Sequence, residues 1–176
     1  MRSRGVAQTT FVVEPSRSAV LVKARSNVGP ISFATSDIHG KIEVGVDGET
    51  VVDGAPTAAH LTISLKSLTS GNSLYDTELR RRIDARRFPD ASLELERAAK
   101  TGDTGQFALS GRISIHDVVR PIEGSVTIEP VRRGILVVRG VETLDIREFA
   151  LEVPTTLALK IYPEVSVEMH LEALAS

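Results

Sequence analysis

His60-Leu-Thr-Ile-Ser-Leu-Lys66 alternates without a break: Leu61, Ile63 and Leu65 fall on one side of an extended chain, Thr62, Ser64 and Lys66 on the other. Successive side chains of a β-strand point to opposite faces, so the run reads as a strand with one buried and one wetted face. The arrangement recurs in both directions. Ser18–Arg25 sets Val20, Val22 and Ala24 against Lys23 and Arg25, and Ile38–Val46 sets Ile42, Val44 and Val46 against Lys41 and Glu43. Leu93 and Leu95 pair up within Ala91–Glu96, and Phe107, Leu109, Ile113 and Ile115 share a face. Ile122, Val126 and Ile128 share another, and Val165, Val167, Met169 and Leu171 form the last. About eight one-sided strands at short, regular spacing predict an all-β antiparallel sandwich or barrel packed on one face of its sheet.

Between the strands lie turn signals at Val46-Asp-Gly48, Asp53-Gly54, Thr101–Gly105 and Arg133-Gly134, and Asp117-Val-Val-Arg-Pro121 reads as a hairpin connection. Ile135-Leu-Val-Val138 is apolar on both faces, so alternation leaves its inward side open. One segment breaks the two-residue period. Ser73–Ala85 reads as a short helix near residues 74–86, with Ser73 and Asp76 spaced as a capping box and Leu79 and Ile83 on one face. Pro89 closes the excursion, and a lone helix among strands suits the open end of a barrel. With no repeat or linker, residues 1–10 are expected to be a flexible tail and residues 11–176 a single domain.

A chain of 176 residues is long enough to bury a core without staples, and 41% apolar with 25% charged residues marks a globular protein. The balance of 21 basic and 23 acidic side chains gives no general attraction to nucleic acid or anionic membrane. The absence of cysteine excludes disulfides, thiolate metal sites and cysteine nucleophiles. No stretch approaches the roughly 18 apolar residues of a membrane-spanning helix, and no apolar run follows Met1-Arg-Ser-Arg4, so the expected location is cytoplasmic.

Catalytic patterns are missing. His39, His60, His116 and His170 form no pair at metal-ligand spacing and are expected at the surface. Ser110 and Ser114 stand in no GxSxG elbow, and Glu94 and Glu96 share one wetted strand face, a poor place to raise a carboxylate pKa. The reading is therefore no enzyme, no metal and no cofactor.

Four segments carry a family resemblance. Phe11-Val-Val-Glu-Pro-Ser-Arg-Ser-Ala-Val-Leu-Val22 has an opening strand's spacing, with Arg17 and Val22 where His and Phe are usual. Asp76, Leu79, Phe88-Pro89 and Leu93-Glu-Leu95 follow, then Gly111-Arg-Ile-Ser-Ile-His-Asp-Val-Val-Arg-Pro-Ile122, with Asp117 for a hairpin glycine. Asp145-Ile-Arg-Glu-Phe-Ala-Leu151 ends the series, with Ala150 for glycine. In order, across residues 11–173, these resemble the YceI-like family of isoprenoid-binding proteins. The resemblance implies a lipocalin-like barrel of about eight strands whose interior holds a polyprenyl chain. It also implies possible homodimers, for which Ile135–Val138 is a candidate face.

The expected ligand-binding stripe is Val20, Val22, Leu61, Ile63, Leu65, Leu93, Leu95, Leu109, Ile113, Ile115, Val126, Ile128, Val167 and Met169. By periodicity alone the same residues make a solid core, and the chain is then a protein-interaction module without ligand; the resemblance favours the lipid. Arg80, Arg81 and Arg82 are candidates for contact with a diphosphate headgroup. The plainer reading of that run is a solvated helix face balanced by Glu78, Asp84 and Asp90.

Overall fold

In the computed structural model, residues 5–53, 55, 57–102, 105–151 and 160–176 are described. Residues 1–4 of the expected tail, Gly54 of the Asp53-Gly54 turn and residues 103–104 of the Thr101–Gly105 loop lie outside them. The chain forms β1 (Ala7–Val13), β2 (Ala19–Ser26), β3 (Gly29–Thr35), β4 (Ile38–Asp47), β5 (Thr50–Val52) and β6 (Ala58–Ser64). Helix α1 (Ser73–Arg82) follows, then β7 (Asp90–Lys100), β8 (Gln106–Ile115), β9 (Val118–Ile128), β10 (Ile135–Asp145) and β11 (Ile161–Ala175).

All pairings between strands are antiparallel, in the order β1-β4-β6-β7-β8-β9-β10-β11-β2-β3. The long β11 has two neighbours on one edge. Its C-terminal residues Ala173–Ala175 pair with β1, while Val165–His170 pair with β2. The β1–β11 pairing closes eight strands into a barrel, and the β2–β3 hairpin extends from it. A closed sheet leaves no edge around its circumference, and eight strands enclose an interior about one side chain or one small ligand wide.

Several boundaries differ from the sequence reading. Strand β1 begins at Ala7, inside the expected tail, because Ala7–Thr10 pair with Val46–Glu43 of β4. Backbone ladders need no apolar alternation, so Ala-Gln-Thr-Thr gave no signal. Phe11–Val22 is two strands, not one: Pro15–Arg17 form a 3-10 turn, and the Ser18 hydroxyl donates to the Glu14 carbonyl at 2.8 Å. The β8–β9 turn is only His116-Asp117, both at positive φ (54° and 60°), and Val118–Pro121 already belong to β9. Two successive left-handed residues suit the twist of a tight hairpin.

Helix α1 is shorter than expected and capped differently. The Asn72 side chain, not Ser73, accepts from the Leu74 and Tyr75 amides at 3.0 and 3.4 Å. The helix ends at Arg82, because Asp84 adopts a left-handed φ of 49°. Leu79 and Tyr75 pack on Ile31, Phe33 and Leu68, which seats α1 across the barrel end lined by β2 and β3.

Asp76 holds the helix approach rather than a capping box. Its buried carboxylate accepts from the Thr69 hydroxyl (2.8 Å), the Ser70 amide (2.7 Å) and the Ser70 hydroxyl (2.6 Å). Thr69 is in turn bridged to Ala34 of β3 by two backbone hydrogen bonds, of 2.9 and 3.0 Å. Burial raises the Asp76 carboxyl, but the Ser70 and Thr69 hydrogen bonds and the Arg80 charge outweigh it and leave its pKa below the ordinary value. A depressed folded-state pKa contributes stability that is present above the unfolded value and lost as pH falls through the folded one. Asp76→Asn places an amide donor among donors and is expected to cost about 2 kcal/mol in urea unfolding at pH 7. The gap from the parent protein should narrow below about pH 4; a gap independent of pH counts against the carboxylate's role.

Candidate functional site

The barrel interior is packed at one end and hollow beyond it. Phe11, Phe107, Leu136 and Ala173, from β1, β8, β10 and β11, are each no more than 1% exposed and form the plug. Next to the plug lies a cavity of about 150 Å³, its walls including Leu61, Ile63, Leu93, Leu95, Leu109, Ile113, Val126, Ile128, Val167 and Met169. Ile42, Val44, Ile122, Val138, Leu144 and Leu171 add to its aliphatic lining. A second cavity, also about 150 Å³, lies beneath α1 and is lined by Val22, Leu65 and Ile115 with Ile31, Phe33, Leu79, Ile83, Phe149 and Val165. Leu144 and Val167 border both cavities, so the two adjoin and together make up the hollow between the plug and the helix. An aliphatic void of such size stays dry and accepts an apolar guest.

Thirteen of the fourteen residues in the expected stripe border this hollow. Val20 does not: it is 3% exposed, opposite Met169 in the β2–β11 ladder, and belongs to the packed core. In β10 the inward face is Leu136, Val138, Gly140, Glu142 and Leu144. That settles the face left open by Ile135–Val138 and leaves only Ile135 and Val137 of that run pointing outward. The candidate dimer face is thus half as apolar as its sequence suggests.

The three arginines part company. Arg82 borders the cavity under the helix, but its guanidinium is engaged by Glu78, with Nε donating at 2.6 Å. Arg81 also donates to Glu78, at 2.9 Å, and points into solvent. Arg80 Nε donates to the Lys66 carbonyl at 3.3 Å. The Arg81 hydrogen bond, with Arg82 nearby, holds the Glu78 carboxyl below its ordinary pKa against the effect of burial. The Arg82 guanidinium is therefore already occupied by Glu78.

Three features escape sequence reasoning. Glu142 borders the hollow and its carboxylate accepts from the Ser125 amide at 2.9 Å. Gly124 lets that carboxylate lie across it, since a Cβ there would meet Glu142 Oε1. His116 is half-buried rather than on the surface; its ring meets Phe88 edge-on with centroids 4.6 Å apart, and Nδ1 is buried without a partner. By contrast, Glu94 and Glu96 do share a wetted face, where Arg112 of β8 reaches them at 3.0 and 3.1 Å.

Comparison with known proteins agrees with this geometry. No curated protein matches the chain in sequence. Among solved structures, BcnA of Burkholderia cenocepacia is similar over 92% of this chain and 99% of its own, with a TM-score of 0.78 and 18% identity. A polyisoprenoid-binding domain from Saccharophagus degradans, implicated in plant cell wall breakdown, is similar over 96% and 99%, with a TM-score of 0.76 and 14% identity. The Campylobacter jejuni YceI protein is similar over 80% and 82%, with a TM-score of 0.65 and 17% identity. At such identities these likenesses bear on fold alone. The sequence model of the YceI-like domain matches residues 11–173, nearly the whole chain, and the protein belongs to the YceI-like family.

Proposed function

We propose that this protein binds a long-chain isoprenoid or similar apolar lipid in its barrel, without catalysis, for storage or transport. The observation that carries this reading is the pair of adjoining, mainly apolar cavities between the Phe11–Phe107 plug and α1. A solid core of the same residues would interdigitate at crystal-like density and leave few voids larger than a water molecule. Each Å² of prenyl surface taken from water there contributes roughly 25 cal/mol. The tail lies against the plug, and the polar end lies beneath α1 near Arg82 and Glu78, where the polar side chains of that cavity lie. Membership of the YceI-like family, which the sequence resemblance links to isoprenoid binding, supports the same reading.

Native mass spectrometry tests it. Purified protein offered a mixed polyprenol and polyprenyl diphosphate extract is expected to acquire one adduct of prenyl-lipid mass, lost on denaturation. A mass that stays that of the bare chain across the extract favours an interaction module with an empty interior.

A further inference from the structure

Barrel strands β9 and β10 are ladder partners for only part of their length. Strand β9 pairs with β8 from Val118 to Thr127, and β10 pairs with β11 from Ile135 to Asp145. Between β9 and β10, however, the ladder consists of Val138–Ile128, Arg139–Thr127 and Gly140–Val126 and goes no further. Continuing the register would set Val141 opposite Ser125 and Thr143 opposite Glu123, but the strands diverge there. At the first lost position a side chain replaces the backbone: Glu142 accepts from the Ser125 amide at 2.9 Å. Beyond it, Pro121 has no amide to offer a neighbouring strand, as suits an open edge. At the far end Arg120 Nε donates to the Glu148 carbonyl at 3.0 Å.

Both lips of this split border the apolar cavity, through Ile122 and Gly124 on one side and Glu142 and Leu144 on the other. One end of the hollow is filled by Phe11, Phe107 and Leu136, and the other is covered by α1, which the Thr69–Ala34 bridge and the Asp76 hydrogen bonds hold in place. The β1–β11 ladder is also only three pairs long, but there β2 takes up β11 beyond it from His170 to Val165. We propose that the β9–β10 split is the lateral portal through which an apolar chain enters and leaves the barrel, with Glu142 as its latch. The inference rests on the lipid-binding reading above. Among the described residues no backbone ladder joins the lips, and the hydrogen bonds between them are Glu142–Ser125 and, beyond it, Arg120–Glu148, whereas parting a neighbouring seam breaks a run of ladder bonds. Gly124 is required by the latch, because any side chain there would occupy the carboxylate's position.

The test uses the chain's lack of cysteine. A Glu123→Cys/Thr143→Cys double variant carries two exposed thiols facing each other across the split, which a short bis-maleimide joins. The probe is all-trans-retinol, an isoprenoid whose fluorescence rises on leaving water, followed by stopped flow. Uptake by the uncoupled variant should match the parent, while the cross-linked protein should take up retinol at least about tenfold more slowly. Protein cross-linked after loading should release it correspondingly slowly. Glu142→Ala should accelerate both uptake and release. Unchanged uptake after cross-linking overturns the portal while leaving lipid binding intact, and unchanged rates in Glu142→Ala overturn the latch. If the parent protein takes up neither retinol nor the extract lipids, the lipid-binding reading fails and the portal with it.

Discussion

Ile113→Trp is expected to abolish high-affinity prenyl binding while leaving the barrel folded. Ile113 sits near the C-terminal end of β8, opposite Leu93 of β7, and it is only partly buried although it faces the interior. That combination marks a residue facing space rather than a packed neighbour. An indole there can extend into the hollow, which is about 150 Å³ on the side toward the plug, without forcing the off-rotamer shifts that overpacking a full core brings. It takes the room a ligand needs. Excluding roughly 100 Å² of ligand contact at about 25 cal/mol per Å² costs about 2.5 kcal/mol, on the order of fiftyfold or more in Kd. The protein has no tryptophan of its own, so the new indole also reports its surroundings by emission wavelength. Retinol titration and urea unfolding of the same sample give the answer. A variant that unfolds, or that binds as tightly as the parent, shows that the hollow is not where the ligand lies.

The sequence makes the barrel wall legible because a wall residue's direction is a local property. Leu61, Ile63 and Leu65 must share a face once the chain is extended, whatever the rest of the molecule does, and all three border the hollow. Where both faces are apolar, as at Ile135–Val138, the local signal vanishes, and the β10–β11 register is needed to place Leu136 inside. Val20 shows the opposite limit. Its direction was correct, yet whether an inward side chain meets a neighbour or a void depends on strands distant in sequence. The arginine run divides for a related reason: consecutive helical residues are turned by about 100° from one another. Three in a row therefore cannot share a surface, and only Arg82, one turn from Leu79 and Glu78, reaches the cavity. Glu142 was illegible altogether, because its position matters only where β9 parts from β10.

The contrast between plug and hollow gives the largest expected effect on stability. Phe107→Ala should cost about 3–5 kcal/mol, since the ring is 1% exposed and its removal leaves a cavity among Phe11, Leu136 and their neighbours. Ile113→Ala, which in a filled core would cost roughly 2–5 kcal/mol, should cost about 1 kcal/mol in the ligand-free protein. A side chain bordering a void has already forfeited part of its dispersion contacts, and a larger void adds little further loss. Loading with a prenyl chain should reverse that economy at Ile113 only. The ligand supplies the missing contacts, so the Ile113→Ala protein should gain less from added retinol than the parent does. Phe107→Ala, lying in the plug, should leave that gain nearly unchanged wherever enough protein remains folded to measure it. Urea unfolding of the parent and both variants, with and without retinol, separates the two positions. Equal costs in the ligand-free proteins would mean that the interior at Ile113 is packed like the plug, and the ligand must then be sought elsewhere on the molecule.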